Sequence, residues 1–371
     1  MHIHEATKSK LSECDRVLYI HVDHFEPTSN SRDYAVVDTV LQTMIKDIRR
    51  SSFNPSLFLK IPATMTLRGD TPEFVPAPHA GMIMAHIKEL SDLGCDIHQH
   101  IHHERWTHSE LTGLEWLEPM SRGLTDDEML RTFITKSIEL YKLYNIPTND
   151  WGFVHGRWAL NASDVRTCNI TNEINILYNN GCVADFTMPA GRALCNPPIS
   201  GIYAIKPINQ ARCYDTGKII HKGSRLLDNG VPFIMCYPST NYFYISLDNL
   251  ILKAGTTSKT YYHSVVADDN EKAPEDPRVI IQEWILCSCV LDRSIIIKTH
   301  AHSMRPSFWQ DDDGNLINNS PIFNYKQRER MYLLQEMCNE NGVDFMYITA
   351  RDLIDFVRWI DKGEEAKNYV W

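Results

Sequence analysis

The sequence lacks the features that would place the protein in a membrane or on a nucleic acid. No apolar run in the 371-residue chain approaches the ~20 residues that are needed to span a bilayer. Lysine and arginine form no cluster longer than a pair, and the net charge of −10 disfavours anionic partners. The first residues also lack the apolar core of a signal peptide. We therefore expect a soluble, cytoplasmic protein with no transmembrane segment and no nucleic-acid partner.

Motifs of several common enzyme classes are missing as well. The ten cysteines are scattered without a Cys-x-x-Cys pair, which indicates reduced thiols that mostly pack in the core. The chain has no glycine-rich phosphate-binding loop and no nucleophile elbow of the Gly-x-Ser-x-Gly type. The sequence therefore supports neither nucleotide-driven group transfer nor a serine esterase.

Strand and helix patterns alternate along most of the chain. Short apolar runs at residues 17–22, 95–101, 150–155, 182–186, 294–299 and 345–349 predict strands. Periodic stretches at residues 34–49, 82–93, 125–144, 172–180, 277–291, 325–341 and 350–360 predict helices. This order is typical of parallel strands covered by helices, an α/β sheet or barrel. Residues 196–276 break the rhythm, so we expect an insertion or elaborated loop region within a single domain spanning residues 1–371.

Reactive side chains lie where five of the predicted strands end. The stretch DIHQHIHHERW (residues 96–106) alone holds four histidines within six residues. Active sites of α/β sheets and barrels are built at this edge of the sheet. An imidazole and a carboxylate from different strands would hold a divalent metal ion, which activates water for hydrolysis of an amide or ester. The residues at the strand ends are Asp23, His24, His100, His102, His155, Arg157, Asp185 and His300.

The order of these segments resembles the polysaccharide deacetylases, the NodB-homology group or carbohydrate esterase family 4. IHVDHFEP is similar to the first family motif, GCDIHQHIHHE to the second and, loosely, FVHGRW to the third. GCVADFT and IIIKTH resemble the fourth and fifth motifs. The resemblance covers about residues 17–302 and leaves out the region 196–276. The chain looks closest to deacetylase-like proteins with VDHFEP and HGNWAL-type segments.

The resemblance implies a distorted (β/α) barrel and a role for each matching residue. Asp23 would be the catalytic base and His300 the catalytic acid. Val154 stands at the position of the family's arginine, and whether the nearby Arg157 takes over that catalytic role stays open. The family holds its metal with Asp-His-His, whereas this chain has His24 and Glu104 at two of those positions. The metal set, most simply for zinc, would then be His24 and His100 with either Glu104 or His102. The expected substrate-facing residues are His155, Trp158 and Asp185.

The function that the resemblance implies is metal-dependent removal of an N-acyl group, acetyl or formyl, from a sugar. The expected partner is therefore an N-acylated sugar, such as a precursor of a polysaccharide or glycolipid. Two alternatives stay open. One is a different metal-dependent phosphoesterase or amidohydrolase on a similar barrel, with two or three metal ions. The other is a non-catalytic sugar-binding relative.

Overall fold

A computed structural model gives the structure of the chain. It describes residues 5–26, 34–53, 64–68, 77–102, 104–108, 115–119, 126–156, 159–165, 168–187, 201–228, 230, 232–235, 243–244, 253–254, 277–301 and 325–371. The helices are α1 (Glu5–Ser12), α2 (Tyr34–Phe53), α3 (Ala77–Asp92), α4 (Asp126–Leu143), α5 (Glu173–Asn179), α6 (Pro277–Cys287), α7 (Tyr325–Glu340) and α8 (Ala350–Asp361). Across the described ranges, no helix combines the length and the apolar character that crossing a membrane requires.

The strands alternate with these helices for most of the chain. They are β1 (Arg16–Phe25), β2 (Thr64–Arg68), β3 (Asp96–Ile101), β4 (Glu104–His108), β5 (Glu115–Pro119), β6 (Trp151–His155), β7 (Cys182–Asp185), β8 (Ile202–Ala204), β9 (Lys218–Ile219), β10 (Phe233–Met235), β11 (Phe243–Tyr244), β12 (Lys253–Ala254), β13 (Cys289–Leu291), β14 (Ser294–Ala301) and β15 (Asp344–Tyr347).

Most of the strands join one large mixed sheet. Its order is β13-β14-β1-β2-β3-β6-β7-β10-β8-β9, and β15 pairs with the first residues of β1. Neighbours from β14 to β10 are parallel, while β13, β8 and β9 are antiparallel to the strands beside them. The parallel strands therefore end at a common edge, which is where the sequence places its histidines.

Both faces of the sheet are covered, which explains why all ten residues of β1 are buried. On one face, Tyr19 and its neighbours pack against Trp284 of α6 and against α2, α3 and α7. On the other face, Leu18, Ile20 and Val22 belong to the apolar cluster that includes α8. We call this second surface the α8 face. Side chains alternate along a strand, so each position of β1 has a defined face.

The α/β class expected from the sequence is confirmed. The helix predicted at residues 277–291 is wrong at its end, because α6 stops at Cys287 and β13 forms a hairpin with β14. Residues Asp292 and Arg293 turn the chain there with positive φ angles of 40° and 63°. The hairpin of β4 and β5 was not predicted. The region 196–276 supplies β8, β9 and β10 to the large sheet.

Candidate metal-binding site

Two strands bring reactive side chains onto the α8 face near the C-terminal edge of the sheet. Alternation along β1 puts His24, and Glu26 just after the strand, on the same side as Val22. On β3, alternation puts His98 and His100 together on one side. The ring centroids of His24 and His100 are 5.2 Å apart, so the two sides are the same.

One carboxylate and two imidazoles form the centre of the site, and we call them the triad: Glu26, His100 and His102. The Oε1 atom of Glu26 lies 2.9 Å from Nε2 of His100 and 3.0 Å from Nε2 of His102. The two Nε2 atoms are 3.1 Å apart. Glu26 and His100 are buried, whereas the side chain of His102 is 14% exposed. The triad is thus buried except on the side of His102.

A glycine leaves room for the third member of the triad. Gly156 directly follows β6, and a Cβ atom at that position would overlap the ring of His102. Any larger residue at position 156 would therefore displace this imidazole from Glu26. This contact explains why a glycine follows His155 in the segment GFVHG.

The hydrogen bond on the far side of the His100 ring fixes its protonation pattern. Its Nδ1–H donates to the carbonyl oxygen of Val154 at 2.8 Å, since a carbonyl can only accept. In the neutral imidazole, Nε2 then carries a lone pair that faces Glu26 and His102. Burial lowers the pKa of His100, although the Glu26 carboxylate opposes that shift, and the neutral ring is favoured. Burial alone would raise the pKa of Glu26, but His102 and His100 outweigh it and hold it well below the usual value.

This donor set fits a divalent metal ion. A carboxylate and an imidazole lone pair repel each other unless a proton or a cation lies between them. Two ligands of a tetrahedral zinc ion, each ~2.0–2.1 Å from it, are about 3.3 Å apart, close to the separations in the triad. Metal-bound histidines commonly donate their other N–H to a carbonyl or carboxylate, as His100 does to Val154. The triad is therefore a candidate metal-binding cluster.

Two more histidines lie beside the triad. The ring of His24 is 5.2 Å from that of His100 and 5.0 Å from that of His300, centroid to centroid. It is nearly parallel to His300, with 16° between the ring planes. The strand β14 brings His300 there, because it runs beside β1 with His300 opposite Val22. The centroids of His100 and His300 are therefore at most about 10 Å apart.

The structure places Asp23 differently from its neighbour. Asp23 is fully buried in β1, between Met65 of β2 and Ala301 of β14 in register. Alternation puts it on the face of Tyr19 and Phe25, opposite the α8 face. Its expected role as catalytic base stays a prediction.

Two predicted substrate-facing residues take part in buried networks instead of the triad. The Asp185 carboxylate accepts the backbone N–H of Thr187 at 2.9 Å and its hydroxyl at 2.8 Å. Burial raises the pKa of Asp185 to about 7, despite the hydrogen bonds from Thr187. His155 donates its backbone N–H to the Thr187 hydroxyl at 2.7 Å, and its ring lies 3.4 Å from Glu173. His155 shares its face of β6 with Phe153, away from the triad.

Three predicted site residues cannot be compared with this geometry. Arg157 and Trp158 lie outside the described residues. Glu104 opens β4, and its side chain lies outside the described part of the chain. The structure brings His102, the alternative third ligand, to His100.

Sequence reasoning missed Glu26. The match to the family's first motif directs attention to the adjacent pair Asp23 and His24, whereas residues of one strand face are two positions apart. The spacing His24-x-Glu26, set beside His98-x-His100-x-His102, is the signal that would have found it.

Comparison of the chain with protein-family models, with curated proteins and with solved structures found no match.

Proposed function

We propose that the chain is a metal-dependent hydrolase that removes an N-acyl group, acetyl or formyl, from a sugar. The proposed substrate is a precursor of a polysaccharide or glycolipid in the cytoplasm. We also propose that the parallel strands from β14 to β10 form the wall of a distorted (β/α) barrel of the deacetylase type. The support is the resemblance of five sequence segments to the polysaccharide deacetylases, together with the site that four of the histidines form.

The convergence of the triad carries this proposal. Three ligand atoms lie within 3.1 Å of one another, with histidine rings next to them. They come from segments that are 74 and 76 positions apart in sequence. A surface cluster of histidines would leave the rings solvated, whereas His24, His100 and His300 are buried. This arrangement favours a reaction site over a solvated turn.

In the proposed mechanism, Glu26, His100 and His102 hold a divalent ion, for which zinc is our choice because the ligands are nitrogen and oxygen. Such an ion supplies Lewis-acid chemistry, since it stabilises negative charge on an acyl oxygen and makes water more acidic. The Val154 carbonyl keeps His100 oriented through its Nδ1–H. Gly156 leaves the space that His102 occupies.

The neighbouring histidines provide proton transfer. His300 donates a proton to the amine nitrogen as the C–N bond breaks, the role implied by the resemblance. His24, which the resemblance names as a metal ligand, lies on the triad's face with its ring centroid 5.2 Å from that of His100, and we assign it the proton that water gives up during attack. Its stacking on His300 holds the two rings 5.0 Å apart. Asp23, which the resemblance names as the base, is the competing assignment.

Within the part of the chain that the structure describes, the possible metal ligands do not favour a binuclear hydrolase. Such enzymes hold their two ions about 3.5–4 Å apart. The second group of possible ligands, which includes His155, lies on the opposite face of β6 from the triad. A mononuclear site is therefore the better supported of the two.

The experiment measures release of acetate and formate from N-acetylated and N-formylated amino sugars. Free, nucleotide-linked and lipid-linked sugars are compared with zinc-loaded protein. We expect His100→Ala to lose the metal ion of the triad and at least ~10²-fold in activity, since one ligand of three is removed. His300→Ala and His24→Gln should keep the metal and lower kcat by ~10²–10⁴. His221→Ala, at an exposed loop residue, is the matched control.

Different results would change or end the proposal. If His100→Ala keeps its full metal content, the triad is not the metal site. Metal binding without turnover of any acylated sugar would favour the sugar-binding relative. If Asp23→Asn lowers kcat with unchanged metal content while His24→Gln is active, the base is Asp23.

A further inference from the structure

A second group of ligand-type side chains lies on the other face of β6. His155 ends that strand, Cys168 lies in the segment before α5, and Glu173 is the first residue of α5. Their exposed fractions are 1%, 3% and 0%. One ligand atom from each lies within 4.8 Å of the other two. The group thus joins three chain segments inside the protein.

The histidine of this group is held in the same way as His100 of the triad, by an Nδ1–H that donates to a backbone carbonyl oxygen. The Nδ1–H of His155 donates to the carbonyl oxygen of Gly156, so Nε2 of the neutral ring carries the lone pair. That Nε2 atom lies 3.4 Å from Oε1 of Glu173. The Sγ atom of Cys168 lies 3.9 Å from Oε2, the oxygen that also accepts the backbone N–H of Asn161 at 2.5 Å. A nitrogen, a sulfur and a carboxylate oxygen therefore lie within 4.8 Å of one another.

The surroundings disfavour a catalytic interpretation of the same three residues. Phe153, Ile174 and Leu177 belong to the buried apolar cluster around them. A nucleophilic cysteine needs a cleft that admits substrate, and these side chains are almost wholly buried. A divalent cation would compensate a carboxylate in such surroundings.

We propose that His155, Cys168 and Glu173 form a second, structural metal site that is separate from the triad. The sulfur ligand selects zinc or a similar borderline-soft divalent ion and disfavours magnesium and calcium, which prefer oxygen ligands. On binding, the Cys168 thiol releases its proton to solvent and the thiolate sulfur bonds to the ion. The ion ties the segment before α5, and α5 itself, to the end of β6.

The second site contains a sulfur ligand and the triad does not, and the absorption spectrum of bound Co²⁺ distinguishes the two. The protein is unfolded with a chelator, refolded with Co²⁺ and examined for thiolate-to-cobalt charge-transfer absorption. The triad contains no sulfur, so this absorption cannot come from the triad. We expect wild-type protein to bind two equivalents of cobalt and to show the absorption. His100→Ala should bind one equivalent and keep it.

Variants of the second site provide the complementary result. Cys168→Ser should lose the charge-transfer absorption and bind one equivalent. Glu173→Gln keeps the thiol and should need at least ~10-fold more cobalt to develop the absorption, since one ligand is weakened. Cys213→Ser is the matched control, because Cys213 is fully buried in the same apolar cluster. It should behave as wild type.

Two outcomes overturn the proposal. One is folded wild-type protein, verified by near-ultraviolet circular dichroism, that binds cobalt without the charge-transfer absorption. The other is absorption that persists in Cys168→Ser. If Cys168→Ser does not fold, the wild-type spectrum and the cobalt titration of Glu173→Gln still decide the question.

Discussion

Two histidines on the same face of β3 have opposite hydrogen-bonding patterns. His98 accepts the backbone N–H of Gly152 with Nδ1 at 2.7 Å and faces Asp96 with Nε2 at 2.7 Å. Its proton therefore lies on Nε2 and is donated to the carboxylate. His100, two residues later, donates from Nδ1 to Val154 and turns the lone pair of Nε2 toward Glu26. Both nitrogens of His98 have hydrogen-bond partners of the right kind without an ion, whereas Nε2 of His100 faces another acceptor, the Glu26 carboxylate.

The two carboxylates extend this contrast. Asp96 also accepts the backbone N–H of Arg351 at 2.8 Å, and the Arg351 guanidinium lies 3.3 Å away. This group joins the first residue of β3 to the first turn of α8. Glu26 is surrounded by imidazole nitrogens of the triad instead. A carboxylate with a histidine thus forms a structural joint at one end of β3 and a candidate metal site at the other.

The largest effect should come from replacing the carboxylate of the triad by an amide. Glu26→Gln keeps the shape but removes the charge, so we expect metal affinity to fall at least ~10²-fold and turnover to fall with it. The unfolding midpoint of the metal-free protein should fall as well, because His102 and His100 stabilise the Glu26 carboxylate in the folded state. Metal titration, turnover and thermal unfolding of the same sample provide the measurement. Unchanged metal affinity would remove Glu26 from the site.

The sequence predicts which reactive residues lie at strand ends and, from alternation, which residues of one strand share a face. It does not predict the rest of the site. The apolar runs located β1, β3 and β14, and the reactive residues at their ends include His24, His100, His102 and His300. The spacing of His24 and Glu26 indicates that the two share a face of β1, but it does not tell which face of β3 lies beside them. That pairing depends on tertiary packing, which the motif match did not supply.

The main errors in the fold have a similar cause. The turn at Asp292 and Arg293 uses positive φ angles without a glycine, so no local signal separates α6 from the strands that follow. The pattern of residues 277–291 therefore reads as one continuous helix. The pairing of β13 with β14 decides the local structure instead.

The second effect should come from the same chemical change at the structural joint. Asp96→Asn places an amide group against the donors of His98 and Arg351, so one of them loses its acceptor. We expect a loss of about 1–3 kcal/mol in the free energy of unfolding, with metal content and turnover unchanged. Urea unfolding followed by circular dichroism measures this. A variant that keeps its stability but loses metal would show that Asp96 serves metal binding and not the structural joint.

The pH dependence of this loss follows from the titration of Asp96. Burial would raise the pKa of Asp96, but His98 and Arg351 outweigh it and lower the pKa below the usual value. The folded state therefore binds the proton less readily than the unfolded state, whose pKa is ~3.9. The stabilisation is fully present above that pH and disappears as pH falls through the folded-state pKa. The difference between wild type and Asp96→Asn should shrink over the same range.

The smallest effect should come from the arginine of the joint. Arg351→Ala removes a guanidinium that is 27% exposed and 3.3 Å from Asp96, but it keeps the backbone N–H that donates to the same carboxylate. It also removes a hydrogen bond to the Asn149 carbonyl oxygen. Because partly exposed ion pairs are screened, we expect a loss of about 0.5–1 kcal/mol, and less at high salt. A double-mutant cycle with Asp96→Asn should then show coupling below the effect of Asp96→Asn alone. Coupling as large as that effect would mean that the guanidinium, and not His98 with the backbone N–H, holds Asp96 in place.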